Sequence, residues 1–309
     1  MDVVLNHPLP VFPPDEPAAV VARERLPVAL SILIFAALSL LCAVTSTGFL
    51  EADGCTHYLY ARFAFAEPHY FVNVWGRPVC TGVYALPAYL LGLTGVRVTS
   101  LLLAVGCALV TYRIAVGQGY RWPALALAFT LAQPLVFLHS FSELTELPFA
   151  LLIALGFWAY QARRFGWMAL AVGLTPLSRP EGFGFVMLAA VALVLHRRAG
   201  WLGVLALPLV AWNHAGWELY GRAMPWWRWL IDNWPYATES TYASGYLLHF
   251  VALLPAMTSP LVFPAVVVGV WRSLRLAPDV LGTPRGRGPR ILTPSPGTPG
   301  EGRGEGDWD

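Results

Sequence analysis

Between residues 51 and 62 the chain reads EADGCTHYLYAR, and WGRP follows at 75–78. Glu51, Asp53, His57, Tyr60, Arg62 and Arg77 thus gather within one short stretch, directly after a long apolar run. If 51–62 is helical, Asp53, His57 and Tyr60 stand at i, i+4 and i+7 on one face. A carboxylate beside a His and near Arg stays ionised and can accept a proton from a hydroxyl, the task of a general base. The plainer reading of Glu51 and Asp53 is two acids in the first turn of a surface helix, where the helix dipole favours them.

Two further polar stretches carry similar chemistry. SELTE, at 142–146, brings Glu143 and Glu146, and SRPEG, at 178–182, brings Arg179 and Glu181. The apolar stretch before SRPEG, 166–178, covers only about 20 Å as a helix, short of the roughly 30 Å of a hydrocarbon core. Arg179 and Glu181 are therefore expected at membrane depth, where charges are costly and mark functional cavities. A helix starting at Pro180 would aim free N–H groups outward beside Arg179, a site for phosphate. The alternative is an Arg179 ion pair with Glu181 or Glu146 that only holds the turn. Ser140 and Glu143 have the S-x-x-E spacing of a capping box, which would make Glu143 a helix cap. Glu146, further along, has no such role.

The elements that position these residues follow from composition. The 309 residues are 57% hydrophobic and 12% charged, with a mean hydropathy of +0.57. Such usage departs from soluble domains and specifies an integral membrane protein. Helices are required, because open strands leave backbone groups unsatisfied in lipid. Apolar runs fall at 27–47, 98–116, 122–139, 147–162, 166–178, 182–196, 200–216 and 247–271, with a weaker one at 82–95. The fold class is all-α, a polytopic membrane protein of about eight transmembrane helices with a helical first outer loop. Treating 82–95 as a half-inserted or surface helix places Arg23 with Arg25, Arg113 with Arg121, Arg163 with Arg164, Arg197 with Arg198, and Arg272 with Arg275 on the cytoplasmic side. The three acidic stretches and the Trp-rich loop then share the outer face. The expected division is a cytoplasmic tail at 1–26, a transmembrane core at 27–272 with outer loops 48–97 and 217–246, and a low-complexity tail at 273–309 rich in Pro, Gly and charge.

Several functions are excluded. A net charge of +2 without like-charged blocks gives no grip on nucleic acid. All 20 basic residues are Arg, which removes lysine Schiff-base and Walker-type chemistry. Cys42 and Cys107 lie in apolar runs as packing residues. Cys55 and Cys80 share the outer loop, where a disulfide is allowed chemically but free thiols are the expectation. Trp226, Trp227, Trp229 and Trp234 suit an interfacial aromatic belt, and their rings also offer faces for a sugar.

The order of these motifs resembles the GT-C membrane glycosyltransferases that use polyprenyl-phosphate-linked sugars, a class that includes protein O-mannosyltransferases and lipopolysaccharide sugar transferases. The matching features are E-A-D-G followed by H-x-x-Y, W-G-R-P, S-E-L-T-E, S-R-P-E-G, and Y-G-x-x-x-P from Tyr220 to Pro225. The resemblance implies an inverting transfer at the outer face of a bacterial inner membrane; the arginine distribution is what puts both termini in the cytoplasm. Asp53, with Glu51 as second candidate, would deprotonate the acceptor hydroxyl. Arg179 and Arg77 would neutralise the departing phosphate, and His57, Tyr60, Glu143, Glu146 and Glu181 would line the substrate site. The implied partners are a polyprenyl-phosphate-linked sugar donor and membrane lipid. Some members hold a divalent metal on D-x-D or D-x-E; E-x-D here gives no indication of one, and no cofactor is expected. Family members run longer, so the chain reads as a truncated member. The rival reading is a non-catalytic lipid-linked glycan transporter or flippase, or an inactive member.

Overall fold

The computed structural model describes residues 16–46, 52–220, 222, 225–227 and 263–271. Glu51, Trp229, Trp234, most of the 217–246 loop and the 273–309 tail lie outside the described residues. Every regular element among the described residues is helical. The first is α1 (Glu16–Thr45), which begins within the segment read as a tail and runs through Arg23, Arg25 and Pro27. Then come α2 (Ala52–Phe63), α3 (Pro78–Gly117), α4 (Pro123–Leu131), α5 (Pro134–His139), α6 (Glu146–Gln161), α7 (Phe165–Gly173), α8 (Gly182–Leu195) and α9 (Leu202–Leu219). Residues 263–271 are helical, and a second compact unit begins at Pro264. Among the described residues, two helices are long and apolar enough to cross a membrane, Ala22–Thr45 and Pro78–Gly117. Glu146–Gln161, Phe165–Leu177 and Gly182–Leu195 are apolar but shorter.

Among the expected runs, those at 122–139 and 82–95 are broken, each for a local reason. The 122–139 run divides into α4 and α5 at Pro134, which occupies the first turn of α5 and lacks the N–H a continuous helix needs. The 82–95 run joins its successor in α3, but Gly92 interrupts the helix at φ 62°, ψ −142°, a conformation open essentially to glycine. The break frees the carbonyls of Ala88 and Tyr89, whose helical donors would be the amides of residues 92 and 93. Arg62 of α2 bonds both carbonyls through Nη1, at 2.7 Å for Ala88. One arm of α3, 78–91, thereby docks on α2, while 93–117 continues into the bundle. At about 1.5 Å per residue the second segment is roughly 37 Å long, enough for a span.

Side-chain contacts fix the direction of each helix. Glu24 is buried and accepts the amide of Ala124, the second residue of α4, at 3.1 Å. Next to it, Arg23 donates to the carbonyl of Arg121 at 2.7 Å and lies over the Trp122 ring. Gly117 closes against Gln161 at the end of α6, and Tyr160 and Arg163 meet His196 at the end of α8. These contacts form an arginine end. At the other end, Arg97 reaches the carbonyl of Ala43 at 2.8 Å, and Trp212 of α9 donates to the carbonyl of Val72 at 2.9 Å. All three acidic stretches lie there. The core between the ends includes Phe35, Leu101, Ala104, Leu127, Leu131 and Leu147, with a second cluster around Met168, Leu193 and Leu205.

The irregular link 140–145 between α5 and α6 is largely buried, so its carbonyls need donors. Ser100 donates to the carbonyl of Ser142 at 2.6 Å, Tyr84 to that of Leu144 at 3.2 Å, and the Ser39 and Ser140 hydroxyls share a 2.7 Å hydrogen bond. Glu143, only 1% exposed, pairs with Arg97 Nε at 3.2 Å. It does not cap α6, whose N-terminus has no side-chain cap bond. The capping-box spacing is therefore overridden by a buried charge from another helix. Removing one partner strands the other charge in the core, so Arg97→Met or Glu143→Leu alone should each cost roughly 3–5 kcal/mol. The double variant should recover most of that loss. Thermal or denaturant unfolding in detergent checks this, and a double variant as unstable as the sum of the singles would contradict it.

Candidate functional site at the acidic end

The WGRP stretch is a turn that starts α3. Asn73 Oδ1 accepts the amides of Trp75 and Gly76 at 2.8 and 3.2 Å, Arg77 takes a left-handed φ of 57°, and Pro78 opens the helix where its missing N–H loses no partner. A Cβ on Gly76 would stand 2.8 Å from both Thr81 Oγ1 and a ring carbon of Tyr60. Glycine here lets the turn close onto α2. Tyr60 stacks on Tyr70 with centroids 4.8 Å apart, and His69 lies edge-on to Tyr220 at 6.1 Å. Tyr60 is thus placed as an aromatic support of the Arg77 turn, beside the line of Asp53 and His57.

On α2, Asp53 is exposed and His57 half-buried. Burial, with Arg77 nearby, lowers the pKa of His57 below its ordinary value, against the opposing influence of Asp53, Glu146 and a backbone hydrogen bond at Gly76. His57 is therefore neutral near pH 7, and its Nδ1 is buried with no hydrogen-bond partner. Glu143 Oε2 is likewise unpartnered and faces α2, where a Cβ on Gly54 would come within 3.4 Å. Burial raises the pKa of Glu143, with Arg97 opposing.

Arg179 sits between two carboxylates. Its Nη1 bonds Glu146 Oε1 and, at 3.3 Å, Thr145 Oγ1, while Nη2 and Nε bond Glu181 at 3.1 and 3.4 Å. Burial works to raise the pKa of Glu181, yet Arg179, a backbone hydrogen bond and Arg77 outweigh it and bring it below the usual carboxylate value. The ion-pair reading of Arg179 is realised with both acids. The expected row of free amides is not. The helix α8 starts at Gly182 rather than Pro180, and the amides of 182, 183 and 184 bond the carbonyls of 179, 180 and 181. Gly182 is packed against residues 175 and 176, where a Cβ would meet backbone at 2.3 Å. That contact holds the SRPEG turn tightly against the preceding 3-10 turn (Thr175–Leu177).

Residues 53, 57, 77, 143, 146, 179 and 181 are therefore brought to one end of the bundle. Cys80 Sγ, 3.2 Å from Ser178 Oγ, joins the base of α3 to the SRPEG turn, and all four cysteines are free. Arg97 went unrecognised in the sequence because it falls between two apolar runs; an isolated Arg at the head of an apolar helix was the available signal. Thr145 and Tyr70 carried no pattern that distinguished them. Among the described residues no group of three His, Cys, Asp or Glu side chains forms a metal-ligand cluster. No protein-family model, curated protein or solved structure matches this chain.

Because neutral His57 is held below its ordinary pKa, the unfolded chain binds the extra proton first as pH falls. Stability present above the ordinary His value is lost on acidification through it. Between pH 7.5 and 5.5 the melting temperature should fall in the wild type and fall less in His57→Gln. Parallel curves for the two proteins would contradict the assignment.

Proposed function

We propose that this chain is an inverting glycosyltransferase of a polytopic membrane bundle, moving a sugar from a polyprenyl-phosphate donor to a hydroxyl on a lipid, glycan or protein. The observation that carries the reading is the meeting of α2, the 140–146 link and the SRPEG turn. It puts an exposed carboxylate, Asp53, on the same end as Arg179 and the Arg77 turn.

In this reading Asp53 takes the proton of the acceptor hydroxyl. The hydroxyl oxygen bonds to the anomeric carbon as the carbon–oxygen bond to phosphate breaks, and the phosphate leaves with that electron pair. The guanidinium of Arg179 stabilises the developing charge, with Glu146 and Thr145 holding it in position. Glu181, the more exposed partner at 56% of its side chain, is the one that yields its place to phosphate. Stacked Tyr60 and Tyr70 offer a ring face to the sugar. About eight spans, with the arginine end in the cytosol and the acidic end outside, complete the proposal.

One observation favours the rival, non-catalytic reading: Arg179 already has two carboxylate partners, the usual state of a structural ion pair. Turnover separates the two. Purified protein is supplied with a panel of polyprenyl-phosphate hexoses and pentoses and a membrane glycolipid extract, and release of polyprenyl phosphate is measured. Asp53→Asn should lower kcat by about 10²–10⁴ and Arg179→Ala by about 10²–10³, with unchanged melting of Asp53→Asn. Equal rates in all three proteins, or no release by any, would overturn the catalytic reading.

A further inference from the structure

At the arginine end the sequence repeats itself: RRFGW at 163–167 and RRAGW at 197–201. The two copies end α6 and α8 in the same way. Arg163 and Arg197 both take φ 56°, and the following arginine donates its amide back into the helix, Arg164 to Ala159 at 2.8 Å and Arg198 to Leu193 at 2.7 Å. Glycine is the common residue at a left-handed helix stop. Arginine stands there twice.

Both motifs line one cavity of about 610 Å³, with Arg163, Arg164 and Arg198 on its wall beside Trp167 and Trp201. Gly166 permits the closeness of the two copies, since a Cβ there would stand 2.8 Å from the Trp201 ring. Charge sets this cavity apart from the acidic end. Arg97, Arg179 and Arg222 each pair with a carboxylate. Among the described residues, Arg163, Arg164 and Arg198 form no ion pair; Arg163 touches His196 Nδ1 at 3.4 Å, and the other two lie over the Trp158 and Phe165 rings. Three guanidinium groups around one cavity, with no anion supplied by the described residues, are complementary to phosphate.

A second, apolar groove of about 340 Å³ shares Arg164, Trp167 and Leu170 with this cavity and continues past Leu152, Leu155 and Leu174. From residue 164 to 174 a helix rises about 15 Å, half of a roughly 30 Å hydrocarbon core. The groove thus has the length of one leaflet. Trp167 and Trp201, 66% and 42% exposed, suit the interfacial level between headgroup and tail.

We propose that the paired R-R-x-G-W turns form a binding site for an anionic phospholipid, its phosphate held by Arg164 and Arg198 with Arg163 beside them and one acyl chain in the groove between α6 and α7. The site is at the opposite end from the acidic cluster and does not depend on the glycosyltransferase reading. The test is equilibrium binding to the full chain in neutral detergent, using short-chain phosphatidylglycerol, short-chain phosphatidylcholine and glycerol 3-phosphate. Phosphatidylglycerol should bind at least tenfold tighter than either of the others. The double variant Arg164→Gln/Arg198→Gln should lose that advantage. Ala171→Trp fills the groove and leaves the arginines in place, so it should weaken phosphatidylglycerol at least tenfold and leave glycerol 3-phosphate unchanged. Equal binding of the two phospholipids would overturn the charge recognition, and equal binding of glycerol 3-phosphate and phosphatidylglycerol would show a soluble phosphate site instead. Wild-type affinity in both variants would remove the site.

Discussion

The pairing of Arg97 with Glu143 constrains everything at the acidic end. Each side chain is nearly excluded from water, at 10% and 1% exposed, so neither charge can be buried without the other. Arg97 also holds the last turn of α1 through Ala43, and Glu143 turns its second oxygen toward Gly54 of α2. One ion pair therefore fixes α1, α2, α3 and the link before α6 against each other. With that link fixed, Thr145 and Glu146 receive Arg179 at a set position, and Arg179 in turn holds Glu181.

The molecule separates its charges by role. Acids and their arginines at one end are interlocked, with Ser and Tyr hydroxyls satisfying the irregular backbone between helices. In the cavity at the other end, Arg163, Arg164 and Arg198 come from two copies of one turn and form no ion pair among the described residues. In the proposed reaction the first arrangement would stabilise a departing anion through Arg179, which Glu146, Glu181 and Thr145 already hold in place. The second offers positive charge without built-in neutralisation, which suits a ligand that brings its own negative charge.

Much of this was legible in the sequence, for physical reasons. Composition dictated helices. The helix assumed for 51–62 is present as α2 from Ala52, with Asp53 and His57 at the expected i, i+4 spacing, while the membrane depth expected for Arg179 and Glu181 from the short 166–178 run stays a proposal. The all-helical fold follows, while the two span-length helices among the described residues are fewer than the eight apolar runs. Local rules failed where tertiary contacts overrode them. The S-x-x-E pattern predicted a cap, but burial drew Glu143 to Arg97. Pro180 fitted a first helical turn, yet the close seat of Gly182 on residues 175 and 176 delayed the start of α8. The break at Gly92 was hidden because the donor that satisfies it, Arg62, belongs to another helix.

In the proposed topology the acidic end and the arginine end lie on opposite sides of a membrane, with Glu181 and its neighbours outside. Single cysteines at Glu181→Cys and Arg198→Cys, in a background whose four native cysteines are replaced by serine, test it by labelling intact cells with a membrane-impermeant maleimide. The account predicts labelling at 181 in intact cells and at 198 only after permeabilisation. Labelling of both from the same side, or of 198 alone from outside, would contradict it.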